Sequence, residues 1–93
     1  MVQQVRAHVL ISGRVQGVCF RMETERAAAL LNVSGWVRNK PDGTVEAVLE
    51  GDADSVNQML SWCRQGPPLS RVDHVDVQWE AYSGKYSGLD ITF

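Results

Sequence analysis

The sequence predicts an α+β fold, an antiparallel sheet with two helices on one face, in the order β-α-β-β-α-β with a short added strand at the C-terminus. Three observations carry the prediction. Apolar residues alternate with period two in separated stretches, the pattern of half-buried strands. Between them lie two stretches with helical spacing, and glycine or proline punctuates the junctions. The chain has 93 residues, enough for one core and too few for two, so residues 1–93 are read as a single domain.

The elements follow in order. Val5, Ala7, Val9 and Ile11 alternate with Arg6, His8, Leu10 and Ser12, a first strand. Gly13 and Gly17 bracket a loop. Phe20, Thr24, Ala27, Ala28 and Leu31 then fall on one helical face, and Glu23 and Glu25 suit the positive end of that helix. Asn32 to Gly35 stops it. Residues 36–39 read as a second strand, and Lys40-Pro41-Asp42-Gly43 as a turn in which Gly43 takes positive φ. Residues 44–50 form a third strand with Val45, Ala47 and Leu49 on one face. Asp52 or Asp54 caps a second helix whose stripe is Val56, Met59, Leu60 and Cys63, and Gly66-Pro67-Pro68 ends it. Val75, Val77 and Trp79 alternate in a fourth strand, and Leu89, Ile91 and Phe93 in a fifth.

This order is the split βαβ, or ferredoxin-like, layout. Right-handed crossovers place strand 3 between strands 1 and 2, and strand 4 outside strand 1. Strands 1 and 2 then run parallel with one strand between them. The loop after strand 1 and the end of strand 2 emerge at the same edge, about 10 Å apart. The glycine loop, Arg21 and Asn39 therefore converge.

Composition narrows the function. With 44% hydrophobic and 22% charged residues the chain reads as globular, and no apolar run approaches the roughly 20 residues that cross a bilayer. The first residues lack a basic flank followed by an apolar stretch, so no secretory signal is expected and a cytoplasmic location is. A net charge of -2 counts against general nucleic-acid binding. The charge is unevenly spread. Residues 14–40 carry Arg14, Arg21, Arg26, Arg38 and Lys40 against Glu23 and Glu25, whereas residues 41–63 are acidic (Asp42, Glu46, Glu50, Asp52, Asp54) and expected to face solvent. Cys19 and Cys63 are too few for a thiolate metal site or an iron–sulfur cluster and are expected as buried free thiols.

The loop Gly13-Arg14-Val15-Gln16-Gly17-Val18 leads straight into a helix, so its backbone N–H groups and the helix start can cradle an anion. No Lys-Ser/Thr follows Gly17, which excludes the nucleotide-binding phosphate loop, and a dinucleotide fingerprint is absent. A plain loop is the simpler reading of two glycines alone. Arg21 in the first turn opposes the helix dipole; a phosphate held between it and the amides reverses that sign, while pairing with Glu25 is the alternative. Asn39 closes strand 2, either for turn propensity or to bind a water at the cradle's edge. His8 and His74 lie on strands without partner motifs, and Ser12, Ser34 and Thr24 lack a triad context. Trp36, Trp62 and Trp79 read as core or interface anchors.

Gly13-Arg14-Val15-Gln16-Gly17-Val18-Cys19-Phe20-Arg21 resembles the first signature of the acylphosphatases, and Gly35-Trp36-Val37-Arg38-Asn39 with Asp42-Gly43-Thr44-Val45-Glu46 resembles the second. Pro67-Pro68-Leu69-Ser70-Arg71-Val72 is similar to the family's segment before strand 4, and the likeness runs from Val5 to Phe93. The resemblance implies hydrolysis of acyl phosphates to a carboxylate and inorganic phosphate, without metal or cofactor. It implies that Arg14, Val15, Gln16, Gly17, Val18 and Arg21 bind phosphate and that Asn39 positions the attacking water. It also implies a strand order of 4-1-3-2-5. A small-molecule acyl phosphate is the expected partner, with no nucleic acid or membrane, and the chain is expected as a monomer. The alternatives are a module of the same fold that binds acyl or carbamoyl phosphate without turnover, and an RNA-binding domain of the same element order. The second needs stacking aromatics on its central strands, and strands 1 and 3 have none.

Overall fold

The computed structural model describes residues 2–93. It contains β1 (Gln4–Arg14), α1 (Phe20–Leu31), β2 (Ser34–Asn39), β3 (Val45–Asp52), α2 (Ala53–Gln65), β4 (Arg71–Glu80) and β5 (Leu89–Thr92). The sheet order is β4-β1-β3-β2-β5, the predicted one. The four longer strands pair antiparallel, and only β5 departs, lying parallel to β2 at the edge.

Alternation in β1 sends Ala7, Val9 and Ile11 to the helix side, where each is fully buried opposite β3 and β4. From α1 come Phe20 and Ala28, and from α2 all four predicted stripe residues, Val56, Met59, Leu60 and Cys63. Thr24 is buried with them because its hydroxyl donates to the Phe20 carbonyl one turn back, 2.7 Å away. Trp62 meets Phe20 edge-on with ring centroids 5.5 Å apart. α1 ends at Asn32 in the left-handed region, φ 59°, as its stop signal implied. β1 runs further than its alternation predicts, because pairing with β4 resumes past a bulge between Ser12 and Gly13. Gly13 permits that bulge: its φ is +125°, and a Cβ there would stand 2.2 Å from the Arg71 carbonyl oxygen.

One expectation fails and two are met only in part. Residues 41–63 do not all face solvent: Glu50 is fully buried and Glu46 nearly so, although Asp42, Asp52 and Asp54 are exposed. The reason is the sheet order, which makes β3 central. On the face away from the helices, Glu46 is bridged by His8 and Arg38, at 2.6 Å each, and His8 reaches Glu80 through its other ring nitrogen. Glu50 accepts from Arg6, from the backbone N–H groups of Ser83 and Gly84, and from the Ser83 hydroxyl. Burial pushes the Glu50 and Glu46 carboxyls up, but these hydrogen bonds outweigh it and hold both below the usual glutamate range. Asp52 stands at the N-cap of α2 as expected, but its carboxylate makes no capping hydrogen bond and is taken by Gln4. Trp79 is no core anchor: on the outermost strand it stays 55% exposed, which leaves the interface half of that expectation.

Candidate active site

The segment between β1 and α1 is held by what it buries. Val15 and Val18 sink into the core, while Arg14 and Gly17 stay exposed. Two left-handed residues, Gly17 (φ 73°) and Cys19 (φ 63°), then turn the chain into α1. The Gln16 amide donates to the carbonyls of Lys40 (2.8 Å) and Thr44 (2.9 Å), fastening the loop to the β2–β3 turn that begins one residue after Asn39. That turn is closed by Lys40 N–H to Thr44 and Gly43 N–H to Lys40, and Asp42 accepts from the Thr44 amide and hydroxyl.

The result is a cleft of about 220 Å³ at this edge of the sheet. Val15, Gly17, Cys19, Arg21 and Asn39 line it, with Met22, Ile91 and Phe93 at its apolar side. Of the sequence-selected residues, the structure thus brings Val15, Gly17, Arg21 and Asn39 to one wall. The side chains of Arg14, Gln16 and Val18 turn elsewhere: that of Arg14 is exposed at the end of β1, that of Gln16 is engaged with the turn, and that of Val18 is packed inward.

Arg21 does not form the alternative pair with Glu25. The ion pair on α1 is Glu23–Arg26, and the Arg21 guanidinium instead lies over the Phe93 ring, 5.4 Å from its centroid. Asn39 is more informative. Its Oδ1 is buried and has no hydrogen-bond partner within the protein, the one such side-chain atom among the described residues. An acceptor left so costs about 1–3 kcal/mol, which a bound donor would recover.

Cys19 corrects the expectation of two buried thiols: it is exposed at the cleft, because the left-handed turn at its own position swings it outward. Cys63 is buried as expected, and burial pushes its thiol up to about 12. His8 and His74 lie on the outer sheet face, away from the cleft. Among the described residues no three His, Cys, Asp or Glu side chains are grouped to hold a metal ion, and no helix is long and apolar enough to cross a membrane. Sequence reasoning missed the Gln16 clamp and the Glu50 nest, and no residue pattern announces either, because most of the partners are backbone atoms far along the chain.

Fold and cleft together define a chain of the ferredoxin-like class with an arginine–asparagine cleft where β1, α1 and β2 meet. A family model described as Acylphosphatase matches residues 7–91. The chain is 51% identical over 92 residues to an acylphosphatase of Pelotomaculum thermopropionicum, covering 99% of this chain and 100% of the relative. It is 58% identical over 88 residues to one of Syntrophobacter fumaroxidans, covering 95% and 91%. Among solved structures, an acylphosphatase from Coxiella burnetii superimposes with a TM-score of 0.91 at 35% identity, over 96% of this chain and 93% of that one. The chain belongs to the acylphosphatase family and is an enzyme of it.

Proposed function

We propose that this chain hydrolyses the carboxyl–phosphate bond of acyl phosphates without a metal, using Arg21 and the amides of the loop from Arg14 to Val18 to hold the phosphate and Asn39 to hold the water. The observation that carries this reading is the buried, unpartnered Asn39 Oδ1 in the same cleft as Arg21 and the start of α1. A free carboxamide oxygen is an acceptor for one proton of a water, and that bond aims the water's lone pair.

The reaction needs little else. Water oxygen attacks phosphorus in line with the acyl oxygen, the phosphorus–acyl oxygen bond breaks, and the carboxylate leaves with the electron pair. A carboxylate departs readily at neutral pH without a general acid. The water's proton passes to a phosphate oxygen of the substrate. Phosphoryl transfer of this kind is carried mainly by positioning and by donors aimed at the equatorial oxygens. Arg21 supplies the planar, permanently charged fork that fits those oxygens, and the first turn of α1 adds the positive end of its dipole. The proposal keeps the cytoplasmic location expected from the sequence.

The test is phosphate release from a model acyl phosphate by the parent, Arg21→Ala and Asn39→Ala, with and without EDTA. Multiple turnovers by the parent that EDTA leaves unchanged, and large losses in both variants, are expected. Binding of the acyl phosphate with no phosphate release would refute hydrolysis; activity abolished by EDTA and restored by a divalent ion would refute the metal-free route.

A further inference from the structure

Residues 81–88 join β4 to β5 without helix or strand, and all of them except Tyr86 are exposed. Their chief anchor is one buried side chain. Glu50, on the outer face of β3, accepts from the Ser83 N–H (3.0 Å), the Ser83 hydroxyl (2.8 Å) and the Gly84 N–H (3.0 Å). Arg6 donates to the same carboxylate (3.2 Å), and its guanidinium stands 6.0 Å from the centroid of the Tyr86 ring. A buried carboxylate is destabilising unless its partners are in place. Three of the four donors here come from this segment, so holding it is what the buried charge does.

The segment decides where β5 starts. β5 has four residues and runs parallel to β2 at the sheet edge, with Leu89 beside Gly35 and Ile91 beside Val37. Its apolar alternation excludes a slip of one residue but not of two. A slip of two, about 7 Å, would still turn apolar side chains toward the helices. The anchor removes this freedom. Glu50 lies opposite Ser34, next to Gly35, and only residues 85–88 separate Gly84 from Leu89. In the register so fixed, Ile91 and Phe93 reach the cleft. There the Arg21 guanidinium lies over the Phe93 ring, 5.4 Å from its centroid, and has no carboxylate partner among the described residues.

We propose that Glu50 is a positioning residue for Arg21: by pinning Ser83 and Gly84 it sets the register of β5, and with it the Phe93 ring that orients the guanidinium. This rests on the reading that Arg21 holds the phosphate. A free arginine side chain must be ordered when the anion binds, and a ring beneath it does part of that ordering in advance. Glu50 pairs near the start of β1 and β2, whereas the cleft lies at their ends, so the carboxylate acts through β5 and not by contact.

The test reads inhibition by inorganic phosphate and amide hydrogen exchange in Glu50→Gln, Ser83→Ala and Phe93→Ala. Glu50→Gln should speed exchange in residues 89–92 more than in α2. It should also raise the inhibition constant about 2- to 5-fold, the worth of one exposed cation–π contact. Ser83→Ala, at an exposed loop position, removes one of the four donors without touching the core and should move both readings the same way by less. Phe93→Ala should raise the inhibition constant as Glu50→Gln does, Phe93→Tyr should keep the parent's, and Glu50→Gln should add nothing in the Phe93→Ala background. A merely structural carboxylate would lower Tm and leave the inhibition constant unchanged, or add its full effect to that of Phe93→Ala; either result overturns the proposal. Exchange in β5 that matches the parent's in both anchor variants overturns it too. An inhibition constant for Arg21→Ala equal to the parent's would overturn the phosphate role itself. That failure is distinct, because exchange in β5 reads the anchor without any phosphate.

Discussion

Replacing Asn39 with alanine should move stability and activity in opposite directions. In the folded chain its Oδ1 is buried and unpartnered, a state that costs about 1–3 kcal/mol. Truncation removes that penalty and sacrifices the packing of a half-buried amide, about 1 kcal/mol. The net effect is zero to about 2 kcal/mol in favour of the variant, and each kcal/mol raises Tm by roughly 4–8 °C in a domain of this size. Turnover should fall by about 10²–10³, the loss found when one oriented hydrogen-bonding group is removed from a transition state. Inhibition by inorganic phosphate should be nearly unchanged, because the proposed anion site is Arg21 and the loop. Three measurements decide it: kcat on a model acyl phosphate, the inhibition constant for phosphate, and thermal unfolding. A kcat within a few-fold of the parent refutes the water-positioning role. A variant whose Tm drops steeply along with its kcat refutes the argument from burial, since Asn39 would then be part of the framework.

Arg21→Ala should weaken phosphate inhibition and lower kcat together, because one guanidinium serves both ground state and transition state; an inhibition constant equal to the parent's would remove it from the anion site. Gln16→Ala should cost about 0.5–1.5 kcal/mol in urea unfolding and raise KM, since the Lys40 and Thr44 carbonyls each lose the second of two donors and the loop is released from the turn. Unchanged KM would mean that the clamp does not shape the cleft. His8 is held between two carboxylates, its hydrogen bond to Glu46 raising its pKa above the ordinary 6.5 against the opposing effect of burial, with Glu80 adding to the rise. Arg6, Arg38 and Asp76 are the other charged groups on that face around it. A raised folded pKa contributes stability that is complete below about 6.5 and is lost as pH climbs through the folded value above it. The urea midpoint should therefore fall as pH rises above about 6.5, less so in His8→Gln, and parallel curves for the two proteins would contradict the bridging imidazolium.

Much of the fold was legible because its signals are local. Val5 to Ile11 and Val75 to Trp79 carry period two, Val56 to Cys63 carry the helical period, and Lys40-Pro41-Asp42-Gly43 spells a turn. The handedness of crossovers then leaves few ways to order the strands, and parallel strands 1 and 2 bring Gly17, Arg21 and Asn39 to one edge. The residues proposed to hold the phosphate and the water were thus marked by sequence, since each sits at an element boundary that local chemistry sets.

Tertiary structure decided what depends on distant backbone and on position within the sheet. Glu46 and Glu50 look like surface acids in a charged stretch, but the central place of β3 puts Arg6, His8, Arg38 and the segment around Ser83 over them. Gln16 reads as a loop residue until the Lys40 and Thr44 carbonyls stand within reach of its amide. Cys19 looks apolar beside Val18 and Phe20, yet its left-handed backbone turns it to the cleft. Trp79 has the pattern of a core residue and is left exposed because β4 is outermost. Periodicity records which side of a strand is apolar. Whether that side is covered, and by which carbonyl or carboxylate, is settled only when elements far apart in the chain meet.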